Sequence, residues 1–223
     1  MRTLPKRLLL APIALLIGGS LAAILALSAG RWDLPFFWAY GAVYAVLAIA
    51  AFVMLDWGLI RERMRSGLRE RNTLIRGARV AMLAHLVVAG VDVGRYHWSD
   101  AIPIPLQILG LVGFAAGFSV SVWAMAVNRF FVPTVRIQTE RGHHVVSSGP
   151  YACVRHPGYA GIILGVLSSG LALGSFLALI PMVCLAGGVL GRVLIEDRFL
   201  AEHLDGYSEY MGAVPYRLLP RVW

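Results

Sequence analysis

Six apolar runs limit what this chain can fold into more than any other feature. They are Leu8 to Ala29, Pro35 to about Leu59, Val80 to about Val93, about Leu106 to Val127, Tyr159 to Leu173 and Ser175 to Val193. A hydrocarbon layer about 30 Å thick is crossed by a helix of about 20 apolar residues. Lipid offers the backbone no hydrogen-bond partner, so such segments close their own bonds as helices. The expected fold class is all-α: a polytopic transmembrane helical bundle of about 5–6 spans, the last two a helical hairpin. Composition agrees, since only 14% of residues are charged and 58% are hydrophobic, against roughly 25% charged in a soluble domain.

Charge then orients the runs. The net charge of +8 comes from 19 arginines and one lysine, Lys6. These lie beside apolar runs, which fits positive-inside topology rather than nucleic-acid binding. Arg2, Lys6 and Arg7 precede the first run, seven arginines fall between Arg61 and Arg79, and more follow from Arg129 to Arg155. The opposite loops carry only Arg31 and Arg95. The N-terminus is therefore expected in the cytoplasm, with residues 132–148 on the same side. The arginine-rich 61–79 stretch reads as a cytoplasmic loop obeying this bias, or as a patch for anionic lipid or substrate. Arginine in place of lysine points to a GC-rich bacterial genome and so to a bacterial inner membrane.

Cys153 and Cys184 are far apart, which excludes a disulfide framework and a zinc spacing. Cys153 has no evident base to make it a nucleophile. The neighbours His143 and His144 lack further ligands at metal spacing, so no metal is expected. His85 and Asp92 interrupt the third run and read as structural.

The chemistry concentrates in Gly149-Pro150-Tyr151-Ala152-Cys153-Val154-Arg155-His156-Pro157-Gly158-Tyr159-Ala160-Gly161. Two prolines and three glycines there forbid one continuous helix and let backbone approach a ligand. Arg155, His156, Tyr151 and Tyr159 add donors and aromatic faces at a membrane boundary. An interfacial anchor is the plainer reading of this stretch alone. A second constellation lies where the last helix continues out of the membrane. Arg192 and Glu196 are four apart on one helix face, followed by Asp197, Tyr207 and Tyr210.

Taken together, Gly-Pro-Tyr at 149–151, Arg155-His156-Pro157-x-Tyr159-x-Gly161, Arg192-x-x-x-Glu196-Asp197-x-x-Leu200 and Tyr207-x-x-Tyr210 resemble the integral-membrane methyltransferases. These include the isoprenylcysteine carboxyl methyltransferases and the phospholipid N-methyltransferases. The resemblance covers about residues 128–220, so residues 128–223 are expected to form the methyltransferase core and residues 1–127 the N-terminal spans. The usual acidic pair of that family is Glu-Glu; here it is Glu196-Asp197.

The resemblance implies S-adenosylmethionine as methyl donor and S-adenosylhomocysteine as product, bound on the cytoplasmic side, with the C-terminal helix completing the site. The implied cofactor positions are Gln138, His143, His144, Val145, Val146, Tyr151, His156, Pro157, Gly158, Tyr159 and Glu196. The implied catalytic residues are Arg192, which meets the acceptor, with Glu196 and His156. The acceptor is expected to be a lipophilic small molecule or lipid drawn from the surrounding membrane lipids. For a carboxylate acceptor, the favoured case, Arg192 orients it and no base is needed; for an amine, His156 or Glu196 removes the proton. Two other classes remain open on sequence: a sterol-reductase-like enzyme using a dinucleotide, and a small transporter component. Against the latter, no matching pair of broken helices marks the two halves.

Overall fold

The computed structural model describes residues 10–69 and 73–223. Arg2, Lys6, Arg7, Leu8, Leu9, Glu70 and Arg71 lie outside the described residues, as do the side chains of Arg65 and Arg69. Among the described residues the α-helices are, in order, α1 (Ala11–Ala29), α2 (Pro35–Met54), α3 (Trp57–Arg69), α4 (Thr73–Val91), α5 (Ile104–Val127), α6 (Pro157–Ala172), α7 (Leu179–His203) and α8 (Tyr207–Ala213). No strand occurs among the described residues. The expected all-α polytopic bundle is what forms. Five segments, namely α1, α2, α4 with its extension to Tyr96, α5 and α7, are long and apolar enough to cross a membrane. The apolar α6, at 16 residues, is shorter. The protein is an integral membrane protein.

Helix ends differ from the sequence expectation where local chemistry intervenes. The second apolar run breaks after Met54, because Leu55 is extended and the Asp56 carboxylate caps α3 by accepting from Leu59 N at 3.1 Å. A side-chain acceptor there satisfies an otherwise orphaned helical N–H. Residues 61–69 and 73–79 are accordingly helical. Arg61 and Arg63 ride on α3, and Arg76 and Arg79 on the first two turns of α4. At the other end, α4 widens into a π-helical turn from Asp92 to Tyr96.

Small residues let α6 pack tightly against α5. Between α5 and α6, Gly117 faces Gly161 and Gly165 so closely that a Cβ at any of them would strike its neighbour. This is the small-residue packing that lipid-embedded helices use, where close backbone approach replaces a hydrophobic drive. The α6–α7 turn runs through Gly174, at φ +76. The turn is pinned at this end by Asp92, whose carboxylate accepts from Ser99 N (3.0 Å), Ser99 Oγ (2.6 Å) and Ser175 Oγ (2.5 Å). His85 is equally buried and bonds through Nδ1 to Ala178 O at 2.9 Å. Both intramembrane residues tie helices together, as expected of structural groups.

Helix α7 carries the site out of the apolar layer. Its 25 residues at about 1.5 Å each span about 37 Å, more than the layer's roughly 30 Å. The excess is little more than one turn, and the C-terminal end of α7 meets residues 155–156 and 207–217. Helix α7 ends at His203, and Gly206 at φ +79 turns the chain into the short α8.

Candidate active site

The central motif folds as its prolines and glycines require. Gly149–Ala152 makes one 3-10 turn, Cys153 to His156 is irregular, and Pro157 opens α6. A proline suits that first helical position because its missing N–H would be unpaired there anyway. The irregular backbone is satisfied by the C-terminal tail: Arg155 N donates to Tyr216 O and His156 N to Arg217 O, each at 2.9 Å. Tyr210 Oη donates to Tyr151 O at 2.6 Å. Residues 204–223 are thus a strap across the motif.

One carboxylate organises this strap. Asp197, only 2% exposed, accepts five hydrogen bonds. Arg155 gives two, Nε to Oδ1 at 2.9 Å and Nη2 to Oδ2 at 2.8 Å. His156 Nε2 adds one at 3.0 Å, Tyr207 Oη one at 2.9 Å and Arg217 Nε one at 2.8 Å. The bond to Asp197 raises the pKa of Arg155, whereas burial and then the Asp197 charge raise that of Tyr207. The second acid of the pair is therefore a structural pin. Its neighbours along the chain do not reveal this role, since its partners come from 10 to 42 residues away.

Glu196 faces the other way. Tyr159 Oη donates to Glu196 Oε2 at 2.7 Å and accepts from Arg192 Nε at 2.7 Å, while Arg192 Nε also lies 3.4 Å from Glu196 Oε2. This relay separates two cavities. On one side a narrow polar cavity of about 40 Å³ is lined by His143, His144, Val145, Val146, Tyr151, His156 and Glu196. Asn128, Phe131, Arg155, Leu200, Leu204, Tyr207 and Tyr210 complete its wall. On the other side an apolar cavity of about 590 Å³ is lined by Arg192 and Tyr159. Leu74, Ile75, Ala78, Met82, Leu83 and Leu86 of α4 form much of its wall, and Arg63 and Arg79 also line it. Phe131 borders both cavities.

The expected cofactor residues thus divide. Seven of them converge on the polar cavity; Tyr159 lies across the relay. Pro157 and Gly158 are buried at the start of α6, where Gly158 O accepts from Ser121 Oγ at 2.9 Å. Gln138 is buried behind the cavity, its Nε2 donating to Phe130 O at 2.8 Å and its Oε1 accepting from Arg141. His143 accepts from Gln138 N through Nδ1. Burial, then the neighbouring His144, Arg136 and Arg141, push its pKa down to about 4, so it is neutral at neutral pH. Burial raises Tyr151, and raises Tyr210 to about 12. Both phenols stay protonated and can donate.

Sequence reasoning missed Phe131 and Arg63. A usable signal existed for Arg63: it follows Leu59 by four and Ile60 by three, and both are buried on α3. An arginine in phase with the apolar face of an amphipathic helix does not point to bulk water.

Residues 108–202 match the family model of the isoprenylcysteine carboxyl methyltransferase (ICMT) family. The matched stretch includes α6, most of α7 and the whole Gly149–Gly161 motif, in line with the resemblance carried by those residues. The chain is also 31% identical over 87 residues to a protein-S-isoprenylcysteine O-methyltransferase of Schizosaccharomyces pombe, covering 38% of this chain and 37% of that protein. It is 30% identical over 132 residues to the cobalt-zinc-cadmium resistance protein CzcN of Cupriavidus metallidurans, covering 58% of this chain and 56% of that one. The chain thus spans about half, or less, of the length of the curated relatives it matches. Among its described residues no three of His, Cys, Asp and Glu gather as a metal site.

Proposed function

We propose that this protein transfers a methyl group from S-adenosylmethionine to a lipophilic acceptor, with an acceptor carboxylate favoured over an amine. The observation that carries the reading is the pair of cavities, one polar and one apolar, meeting at the Arg192–Tyr159–Glu196 relay. A charged, water-soluble donor and a greasy acceptor need two such compartments and a common wall where they react. The match of residues 108–202 to the ICMT family model and the name of the fission-yeast relative support the same chemistry.

The residues around the polar cavity fit the donor by chemistry. Glu196 can pair with an ammonium or accept from ribose hydroxyls, and its side chain is 15% exposed. Neutral His143 and the protonated Tyr151 can hydrogen-bond to uncharged parts of a nucleoside. Bound S-adenosylmethionine would supply an electrophilic methyl carbon on a sulfonium. Transfer to a carboxylate forms one C–O bond as the C–S bond breaks, the electron pair staying on sulfur. No proton moves, so the protein needs no base. The task of Arg192, Tyr159 and Glu196 is to align the partners and exclude water. We place this site at the cytoplasmic face of a bacterial inner membrane, following the arginine bias.

The test is calorimetric titration of S-adenosylhomocysteine into detergent-purified protein, with a reduced dinucleotide in parallel. Saturable binding of the first alone supports the reading. Binding of the dinucleotide alone transfers the protein to the reductase class.

A further inference from the structure

The wall of the apolar cavity is shared: eight of its eighteen lining residues come from α3 and α4, and the other ten from the family-matching stretch. Its position asks what the cations there are for. Arg192, 9% exposed, is already engaged by Tyr159 at 2.7 Å and by Glu196 at 3.4 Å. Arg63 reaches in from α3 by a different route. Its Nη1 donates to Phe131 O at 2.8 Å, and its guanidinium lies 5.5 Å from the centre of the Phe131 ring. That ring packs edge-on against Tyr159 at 5.1 Å. The guanidinium is thus held beside the wall that the two cavities share.

Among the described residues, the lining of this cavity includes Arg63, Arg79 and Arg192 and no acidic side chain; Arg192 is paired with Glu196. Burial, and then the repulsion of Arg192, push the Arg63 pKa down, yet a guanidinium does not lose its proton in a protein. Held charged in an apolar setting, it is an incomplete site for an anion. The planar fork of arginine suits a carboxylate, which it meets through parallel N–H bonds.

We propose that Arg63 is the residue that selects an acidic group on the acceptor, a specificity residue supplied by α3 of the N-terminal half. The proposal rests on the methyl-transfer reading above. It divides the work between two arginines: Arg63 recognises the acid, and Arg192 couples it to Tyr159 and Glu196 at the wall between the cavities.

The experiment uses the full-length protein in detergent and two probes with the same tail, N-acetyl-S-farnesylcysteine and its carboxamide. Equilibrium binding of each is measured for the wild type, Arg63→Gln and Arg63→Lys, together with binding of S-adenosylhomocysteine. The wild type is expected to prefer the acid by about tenfold or more, and Arg63→Gln to reduce that preference to about twofold or less. Arg63→Lys should restore only part of it, because an ammonium keeps the charge without the fork. Affinity for S-adenosylhomocysteine should stay within about twofold in all three, as expected of independent sites. An undiminished acid preference in Arg63→Gln overturns the proposal, as does a wild type that does not prefer the acid. If Arg63→Gln does not fold, Arg63→Lys decides: an undiminished preference there overturns the proposal and a reduced one supports it. If the wild type binds no S-adenosylhomocysteine but Arg63 still sets the acid preference, the donor reading fails and the acid site stands.

Discussion

The fork of Arg155 grips the carboxylate of Asp197 through two parallel bonds, 2.9 Å to Oδ1 and 2.8 Å to Oδ2, with both side chains almost wholly buried. This pair joins the loop before α6 to the end of α7, and through Arg217 and Tyr207 it draws in the C-terminal strap. It is the fixed point from which the neighbouring Glu196 is aimed at the polar cavity.

Replacing that carboxylate should therefore cost stability before it costs chemistry. Asp197→Asn leaves the Arg155 charge buried without its anion, a loss of about 3–5 kcal/mol for breaking one side of a buried pair. Thermal unfolding in detergent measures this. An unchanged melting temperature would show that Asp197 does not pin the strap.

Glu196 and Arg192 should separate in their effects. Glu196→Ala removes a charged hydrogen-bonding group from the polar cavity, worth about 1.5–3 kcal/mol, so S-adenosylhomocysteine should bind about tenfold to a hundredfold more weakly. Arg192→Ala should leave that affinity nearly intact and lower turnover. Calorimetry on both variants checks the pair, and equal donor affinity in Glu196→Ala and wild type would contradict the assignment.

Tyr159→Phe tests the relay itself. The ring and its packing on Phe131 remain, but the bonds to Glu196 and Arg192 are lost. Turnover should fall by about tenfold or more, for a loss of about 1–3 kcal/mol where buried partners are left unpaired. Wild-type turnover in this variant would show that the two cavities do not communicate through the phenol.

His143 sets a pH limit. Its folded pKa, about 4, lies below the usual value near 6.5. Between these values the unfolded chain binds the proton more readily than the folded one, so stability falls as pH drops through that window. Its contribution is complete above about pH 6.5 and lost by about pH 4. His143→Gln should flatten that part of the stability-against-pH curve, read by thermal unfolding from pH 4 to 7. A curve of unchanged slope would mean that His143 titrates normally.

At the opposite end of the bundle, Asp92→Ala should destabilise without touching the donor. It strips the acceptor from Ser99 and Ser175 in a buried setting, at about 1–3 kcal/mol for each group left unsatisfied. The check is a lowered melting temperature with unchanged S-adenosylhomocysteine affinity. A weakened affinity would show that the far end bears on the site.

The apolar runs by themselves determined the helical, membrane-spanning class, because helix length against bilayer thickness is a property of local sequence. Pro150, Pro157 and the glycines between 149 and 161 likewise dictated the broken backbone of the motif, since their limits on φ act within one residue. The residues 143–146, 151, 156 and 196 were legible as one constellation, and the fold brings them to one cavity. The break at Asp56 was hidden inside an apolar run, where a single capping carboxylate outweighs hydropathy. Asp197 could be seen beside Glu196, but not that Arg155, His156, Tyr207 and Arg217 would all converge on it. Nor did the arginine-rich stretch reveal that Arg63 turns inward. Those assignments depend on which side chains meet across helices far apart in sequence. Partners of that kind are set by packing, which no local pattern encodes.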